Sequence, residues 1–238
     1  MAKVWIDGQT QVEIADYPGM KAVHLTIDAK NVRALPGQTI LEVVKSRPGI
    51  GNVPALCYHP AVKPYGACRL CTVEVEEGTG TRFVAACLYQ VRERLVVKTD
   101  TERVRRLRKE ILELLLARCP NVKIIQDLAK EYGVEKPRHA LGDQECILCG
   151  LCVRACQEII GRSAISLANR GIYREVAVPF YGYELGEECI GCGDCVYVCP
   201  TNAIYLGPDG KPVLPKVKIP YPEIEAMIRE ATATASGR

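Results

Sequence analysis

Apolar residues follow a period of two in the first part of the chain, which is typical of strands, and a period near 3.6 further on, which is typical of helices. In residues 1–25, the alternating run Val4-Trp5-Ile6 is followed by Asp7-Gly8 and then by Val12 and Ile14, which predicts a hairpin. Residues 26–100 predict a short helix and several strands around a Gly- and Pro-rich loop. The helix is expected near 40–45, and the later strands at 72–76, 83–86 and 95–97.

A helical connector is predicted for residues 101–139. Thr101 can cap a helix that Pro120 ends, and a second amphipathic helix over 122–132 stops at Gly133. The apolar positions of the first helix are Val104, Leu107, Ile111, Leu114 and Leu115. Its basic residues predict a solvated face, with a docking surface for an acidic partner as the alternative. They are Arg103, Arg105, Arg106, Arg108 and Lys109.

Residues 140–210 contain the same cysteine pattern twice. CILCGLCVRAC aligns with CIGCGDCVYVC, which indicates an internal duplication. A short strand is expected after each copy, at 164–167 and 203–206, and residues 176–178 are expected to pair with Ile172. In residues 211–238 a short amphipathic helix is predicted after Pro222, followed by a loose end.

Thirteen cysteines in 238 residues require a chemical explanation. A disulfide framework suits short secreted chains, but this count is odd and the N-terminus MAKVWIDGQT has no secretion signal. The composition therefore predicts a cytoplasmic metal-binding protein. The net charge of +3 is too small to indicate nucleic-acid binding, and no apolar stretch approaches the length of a transmembrane segment.

The duplicated pattern is the ferredoxin run Cys-x2-Cys-x2-Cys-x3-Cys, in which the fourth Cys ligates the other cluster of a two-cluster protein. One predicted [4Fe–4S] cluster therefore takes Cys146, Cys149, Cys152 and Cys199, and the other takes Cys189, Cys192, Cys195 and Cys156. Gly150, Gly191 and Gly193 lie between ligands, where tight turns are needed. A four-thiolate zinc site is the alternative, although zinc ribbons use separated Cys-x2-Cys pairs.

A second cysteine pattern occupies the N-terminal half. Cys57, Cys68, Cys71 and Cys87 resemble the plant-type arrangement with a longer first spacer, which predicts one [2Fe–2S] cluster. The Cys-x2-Cys pair alone would also suit a redox dithiol. Cys119 is left over and is predicted to be a buried apolar side chain. The three histidines, His24, His59 and His139, are predicted to be structural or exposed.

The sequence segments LCYHP and GACRLC, around Cys57 and Cys68, resemble the N-terminal part of the large iron–sulfur subunit of respiratory NADH dehydrogenase. With both ferredoxin runs added, residues 22–206 look most like the diaphorase small subunit of NAD-linked [NiFe] hydrogenases. NAD-linked formate dehydrogenases and iron-only hydrogenases are similar in the N-terminal part.

The resemblance implies an α+β chain with an N-terminal β-grasp [2Fe–2S] ferredoxin-like domain and a C-terminal bacterial-type di-cluster [4Fe–4S] domain. The expected domains are an N-terminal hairpin extension (1–25), the [2Fe–2S] domain (26–100), the helical connector (101–139), the [4Fe–4S] domain (140–210) and a C-terminal tail (211–238). The resemblance also implies a non-catalytic electron-transfer subunit of a hetero-oligomer. One partner would bind flavin and NAD(P)H, and another would be a catalytic subunit of the hydrogenase or formate dehydrogenase type.

One departure from this family stands out. Its members usually carry a His-x3-Cys-x2-Cys-x5-Cys site after the first long helix, whereas LLLARCPNVKIIQDLAKEYG here contains only Cys119. We therefore expect that the His-ligated cluster is absent. GTGTRF at 78–83 lacks the third Gly of a dinucleotide fingerprint, so NAD and flavin are expected only on a partner.

The cysteine patterns bear on four other functions. A stand-alone multi-cluster ferredoxin is the main alternative, together with an iron–sulfur subunit of another low-potential oxidoreductase, bifurcating or not. Subunits of succinate dehydrogenase carry later cysteine motifs of two different types, unlike the two equal runs here. A radical enzyme that uses S-adenosylmethionine needs Cys-x3-Cys-x2-Cys, but Ile159 and Asn202 occupy the last position after each run.

Overall fold

The computed structural model describes residues 21–78, 80–179 and 185–216, together with the backbone of two earlier strands. Those strands, β1 (Ala2–Ile6) and β2 (Thr10–Ile14), pair antiparallel, which confirms the predicted hairpin. The helix and loose end predicted after Pro222 lie outside the described residues. The chain divides into two compact units, one comprising residues 1–58 and 64–111 and the other residues 59–63 and 112–238.

A mixed five-stranded sheet forms the first unit. Its strands are β3 (Val23–Ile27), β4 (Lys30–Ala34), β5 (Thr72–Glu77), β6 (Gly80–Ala85) and β7 (Val96–Lys98), in the order β4-β3-β7-β5-β6. Only the β3–β7 pair of this sheet is parallel. Asp28 and Ala29 both have positive φ, the backbone of the tight turns that suit a hairpin such as β3–β4. β3 also crosses the domain boundary expected at residue 25.

Helix α1 (Ile40–Lys45) packs its apolar side onto this sheet and coincides with the helix predicted there. Thr39 and Glu42 form a capping box, in which each side chain accepts the other residue's backbone N–H, at 3.3 and 2.7 Å. The fully buried residues Ile40 and Leu41 share one core cluster with residues of the strands. Each such side chain contributes about 1.5–3 kcal/mol when removed from water. This mixed sheet with few helices confirms the α+β class.

Helix α2 (Glu102–Arg118) begins at the predicted cap, because the Thr101 hydroxyl accepts the N–H of Val104 at 3.1 Å. Its buried face differs from the predicted one. Val104, Arg108 and Leu112 are almost inaccessible to solvent, whereas Leu114 is 57% exposed. The buried residues follow an i, i+4 spacing that includes an arginine. A prediction that counts only apolar residues leaves this arginine out and therefore places the buried face too close to Leu114.

Arg108 links α2 to the sheet unit. Its Nη2 donates to the carbonyl oxygen of Thr72 at 2.9 Å and its Nη1 to that of Asn52 at 3.3 Å. The buried Glu74 fixes the start of the same helix by accepting from Thr101 and Arg103 at 2.7 and 2.9 Å. The predicted solvated basic face is therefore wrong for Arg108, because the carbonyl groups of Thr72 in β5 and of Asn52 accept its N–H groups beneath the helix.

The second unit contains short elements around the duplicated cysteine runs. They are α3 (Lys123–Glu131), α4 (Leu151–Arg154), a π-helical turn (Ala155–Ile159), β8 (Ser166–Ala168), a 3₁₀ turn (Gly171–Tyr173), β9 (Glu175–Ala177), α5 (Asp194–Tyr197), β10 (Tyr205–Leu206) and β11 (Pro212–Val213). β9 pairs with β8 rather than with Ile172, so that expectation is wrong. Ile172 lies in the 3₁₀ turn instead. β10 pairs with β11.

The two cysteine runs fold alike up to their third Cys and then diverge. Gly150 and Gly193, with φ of 68° and 79°, each precede a one-turn helix, α4 or α5. After α4 the helical path continues as the π turn that contains Cys156, whereas α5 ends at Tyr197. Gln157 follows Cys156 and retains its backbone N–H, but the equivalent Pro200 cannot donate one and stops the helix.

The second unit is discontinuous in sequence because it includes residues 59–63. The N–H of Lys63 donates to the Glu158 carboxylate at 2.7 Å, and the guanidinium of Arg154 donates to the Lys63 carbonyl. These two side chains lie on either side of Cys156 in sequence. No helix within the described ranges is long and apolar enough to cross a bilayer.

Replacing Arg108 tests its role as a buried link. We expect Arg108→Ala to lower the free energy of unfolding by about 3 kcal/mol, since it removes two hydrogen bonds from a charged donor and leaves a cavity. Arg106→Ala, at an exposed position of the same helix, is the matched control and should change it by less than about 0.5 kcal/mol. Denaturant unfolding of the anaerobically prepared full chain measures both, and equal effects would contradict the assignment.

Candidate iron–sulfur sites

The first unit brings four predicted site residues together. Cys68 and Cys71 lie in the loop that enters β5, Cys87 follows β6, and Cys57 precedes the long loop. All four are buried. The N–H of Cys68 donates to the Cys57 sulfur at 3.4 Å. Cys57 is in hydrogen-bond contact with the thiols of Cys68 and Cys87, and Cys71 is in contact with that of Cys87.

Hydrogen bonds among the four thiols shift their pKa values in opposite directions. Hydrogen bonds from the thiols of Cys68 and Cys87 lower the pKa of Cys57. The hydrogen bond from Cys87 likewise lowers the pKa of Cys71. Bonding to Cys57 raises the pKa of both Cys68 and Cys87, and burial adds to that rise. A compact set of four buried cysteines fits a cationic iron group, because thiolates are the form that binds metal and a cation offsets their charge.

The turn between these cysteines requires left-handed backbone at two residues. Gly66 has φ of 73°, and a Cβ placed on it would lie 2.5 Å from Cδ1 of Leu88. Arg69 adopts φ of 58° despite its side chain. Its charge is among the effects that lower the pKa of Cys71, behind the hydrogen bond from Cys87. Cysteine spacing alone does not point to Arg69, although its position within GACRLC is a usable signal.

In the second unit, the environment of Cys152 identifies one set of neighbours. Burial raises the pKa of Cys152 first, and the charges of three further thiols add to the rise. Those thiols belong to Cys149, Cys146 and Cys199. The last comes from the other run, so the structure brings together the four members predicted for the first [4Fe–4S] site.

Cys195 identifies the second set in the same way. Burial raises its pKa to about 11, and the neighbouring thiols of Cys192, Cys189 and Cys156 contribute. Here too the fourth member comes from the other run, since Cys156 is carried by the π turn that follows α4. Gly191 has φ of 71°, and its counterpart Leu148 adopts φ of 55°, as the tight turns require. Among the described residues, no group of three or more His, Cys, Asp or Glu side chains is arranged to hold a single metal ion.

Hydrogen-bond donors lie beside Cys146, in the set that also contains Cys149, Cys152 and Cys199, and they fit a sulfur-rich group. The N–H of Leu148 donates to the Cys146 sulfur at 3.3 Å. Arg118 donates through Nε to the Cys146 carbonyl oxygen at 3.0 Å. Its Nη2 is buried and has no hydrogen-bond partner within the described part of the chain. A buried cationic donor next to gathered thiols is compatible with an anionic cluster, whose sulfurs accept hydrogen bonds. Arg118 likewise carries no signal in the cysteine spacing.

The leftover residues behave mostly as predicted. Cys119 is inaccessible to solvent, and burial raises its pKa to about 12, which is typical of an inert thiol. His24 is exposed beside Glu93, with 3.7 Å between Nδ1 and the carboxylate. His59 accepts the Ala61 N–H through Nδ1 at 3.3 Å, which stabilises its own loop.

Two known domain families match the chain. The 2Fe-2S iron-sulfur cluster binding domain matches residues 20–102, and the 4Fe-4S dicluster domain matches residues 145–203 and 188–228. The fold and the three thiol sets agree with these matches. The chain is thus a ferredoxin-type iron–sulfur protein with a [2Fe–2S] domain followed by a [4Fe–4S] dicluster domain.

Two curated proteins show which members of this class the chain is similar to. The chain is 32% identical over 211 residues to the NADPH-Fe(3+) oxidoreductase subunit alpha of Geobacter sulfurreducens, which covers 78% of this chain and 24% of the relative. It is 30% identical over 217 residues to the NADP-reducing hydrogenase subunit HndD of Solidesulfovibrio fructosivorans, covering 78% and 36%. These curated relatives are therefore much longer, and the chain spans about a quarter to a third of them.

A solved structure matches over about two thirds of this chain. A chain of the NAD+-reducing [NiFe]-hydrogenase in the H2-reduced state aligns with a TM-score of 0.55 and 30% identity, over 66% of this chain and 75% of that one. The chain belongs to a family of iron–sulfur proteins that includes subunits of an NADPH-Fe(3+) oxidoreductase and of an NADP-reducing hydrogenase and a chain of an NAD+-reducing [NiFe]-hydrogenase.

Gly66 provides a test of the [2Fe–2S] loop. We expect Gly66→Ala to lower the free energy of unfolding by about 1–2 kcal/mol and to reduce iron content, because Ala is strained at this φ and displaces Leu88. Gly49→Ala is the matched control, since its φ is 85° but no atom lies within 4 Å of its added Cβ. Iron analysis and denaturant unfolding compare the two, and equal iron loss in both variants would contradict this role.

Proposed function

We propose that this chain relays single electrons between a partner that binds flavin and NAD(P)H and a catalytic subunit of the hydrogenase or formate dehydrogenase type. The observation that carries the proposal is the gathering of twelve cysteines into three sets, two of which exchange their fourth member. A relay needs several such centres in one chain, and neither a nucleophile nor an acid–base pair is required.

The proposed cofactors are one [2Fe–2S] and two [4Fe–4S] clusters, which take up and release single electrons when bound. Their proposed ligands are Cys57, Cys68, Cys71 and Cys87 for the first, Cys146, Cys149, Cys152 and Cys199 for the second, and Cys189, Cys192, Cys195 and Cys156 for the third. The chain buries most of these thiols and directs backbone N–H groups at sulfur, as Cys68 and Leu148 do. Burial and N–H donors are the features through which a protein sets a cluster's potential.

The proposed partners rest on the relatives. The Geobacter protein is named for NADPH and Fe(3+), the Solidesulfovibrio protein for NADP and hydrogenase, and the solved structure for NAD+ and [NiFe]-hydrogenase. A nicotinamide nucleotide is common to all three names. We therefore propose a nicotinamide-linked partner for this chain within a hetero-oligomer, with the cytoplasmic location predicted from its cysteine content.

Reduction of the purified chain tests the relay. We expect NADH or NADPH alone to leave its iron oxidised, and reduction to follow addition of a flavoprotein that co-purifies with it from native extract. Absorbance bleaching and EPR report the change, and dithionite provides full reduction as a control. Direct reduction by NAD(P)H without a partner, or migration of the native chain as a lone small species, would contradict the proposal.

Single substitutions test the crossed ligands. We expect the EPR spectrum of Cys156→Ser to resemble that of Cys189→Ser, because both lose the same centre despite lying in different runs. Cys199→Ser should likewise resemble Cys146→Ser.

The buried Cys119→Ser serves as the control and should retain all three centres. Iron and sulfide analysis should show the loss of up to one [4Fe–4S] cluster in each ligand variant. If Cys156→Ser instead matched Cys146→Ser, each run would hold its own cluster and the crossed assignment would be overturned.

A further inference from the structure

Arg118 is the last residue of α2, and it is fixed to the segment that leads into the first ferredoxin run. Its backbone carbonyl accepts the N–H of Gln144 at 2.9 Å, and the preceding carbonyl of Ala117 accepts that of Leu141 at 3.0 Å. The side-chain Nε–H of Arg118 donates a third hydrogen bond to this segment, to the carbonyl oxygen of Cys146. The guanidinium is therefore held beside a proposed cluster ligand through both its backbone and its side chain.

The geometry of a guanidinium then determines where its remaining N–H groups point. Nε and Nη2 lie on the same edge of the planar group, so their N–H bonds run nearly parallel, as they do when Arg binds a carboxylate with two bonds. Because Nε–H points at Cys146, Nη2–H points toward the same side. Nη2 is buried there and has no hydrogen-bond partner among the described residues. A buried N–H of a charged group without a partner is costly, and an acceptor at this position would offset the cost.

We propose that Arg118 is a positioning residue that holds Cys146 in place and raises the reduction potential of the cluster bound by Cys146, Cys149, Cys152 and Cys199. The inference rests on the proposed function, since it requires that cluster. A reduced cluster carries one more negative charge than the oxidised form. A nearby positive charge and an N–H donor therefore stabilise the reduced form more strongly.

An ordinary structural role is the competing explanation. A basic residue in the last turn of a helix stabilises the helix dipole, and the hydrogen bond to Cys146 could simply tether a loop. Either role would change stability without changing a potential. The deciding measurement is therefore the midpoint potential of each [4Fe–4S] centre, obtained by EPR-monitored redox titration of the full chain with its iron in place.

Arg118→Gln removes the charge and the fork. We expect its affected centre to become harder to reduce, with an approximately tenfold shift of the reduction equilibrium, which is about 59 mV for one electron. The centre with Cys189, Cys192 and Cys195 should keep its potential and serves as an internal reference. Arg118→Lys keeps the charge without the fork and should give a smaller shift in the same direction.

Arg106→Gln is the matched control. It removes the same charge from an exposed position of the same helix, about 18 Å further from its end, and should leave both potentials unchanged. Unchanged potentials in Arg118→Gln with iron retained would overturn the proposal, as would equal iron loss from both centres. Iron loss from the Cys146 centre alone would support only the positioning of Cys146. The effect on the potential would then be decided by Arg118→Lys, and an unchanged midpoint potential in that variant would overturn it. If the unmodified chain showed fewer than two [4Fe–4S] signals, that result would instead contradict the proposed function itself.

Discussion

Gathering thiols in a protein interior is the constraint on which the rest of this structure depends. Ionised thiols repel one another, and burial raises their pKa further, as it does for Cys152 and Cys195. Such sets are stable as ligands only when cations offset the thiolate charge. The short helices, left-handed glycines and N–H donors around them are local solutions to that problem, because they bring sulfurs from distant parts of the sequence to one place without long elements.

Much of this arrangement could be predicted from sequence because metal chemistry restricts cysteine spacing. The two ferredoxin runs indicated their crossed partners, and the glycines between ligands do adopt positive φ. Helix α1 and the cap at Thr101 were also predictable, since each depends on local backbone groups. These features are encoded within a few residues of chain, where spacing alone carries the information.

What sequence could not supply depends on long-range packing. Arg108 reads as a surface residue, yet carbonyl groups of Thr72 and Asn52 satisfy it from beneath the helix. The role of Arg118 depends on the approach of Cys146, a residue 28 positions further along. The pairing of β9 with β8 rather than with Ile172 is likewise a tertiary choice. In each case the acceptor or partner strand lies far away in sequence, so local pattern cannot identify it.

The insertion of residues 59–63 into the second unit has a consequence for how the gene can be divided. A fragment ended after the last strand of the sheet would contain Lys63 but neither Arg154 nor Glu158, the side chains that bind its backbone. The reciprocal fragment would expose those side chains to water. Recombination or truncation at the connector would thus divide the second unit between two fragments, whereas inheritance of both domains in one gene keeps that unit complete.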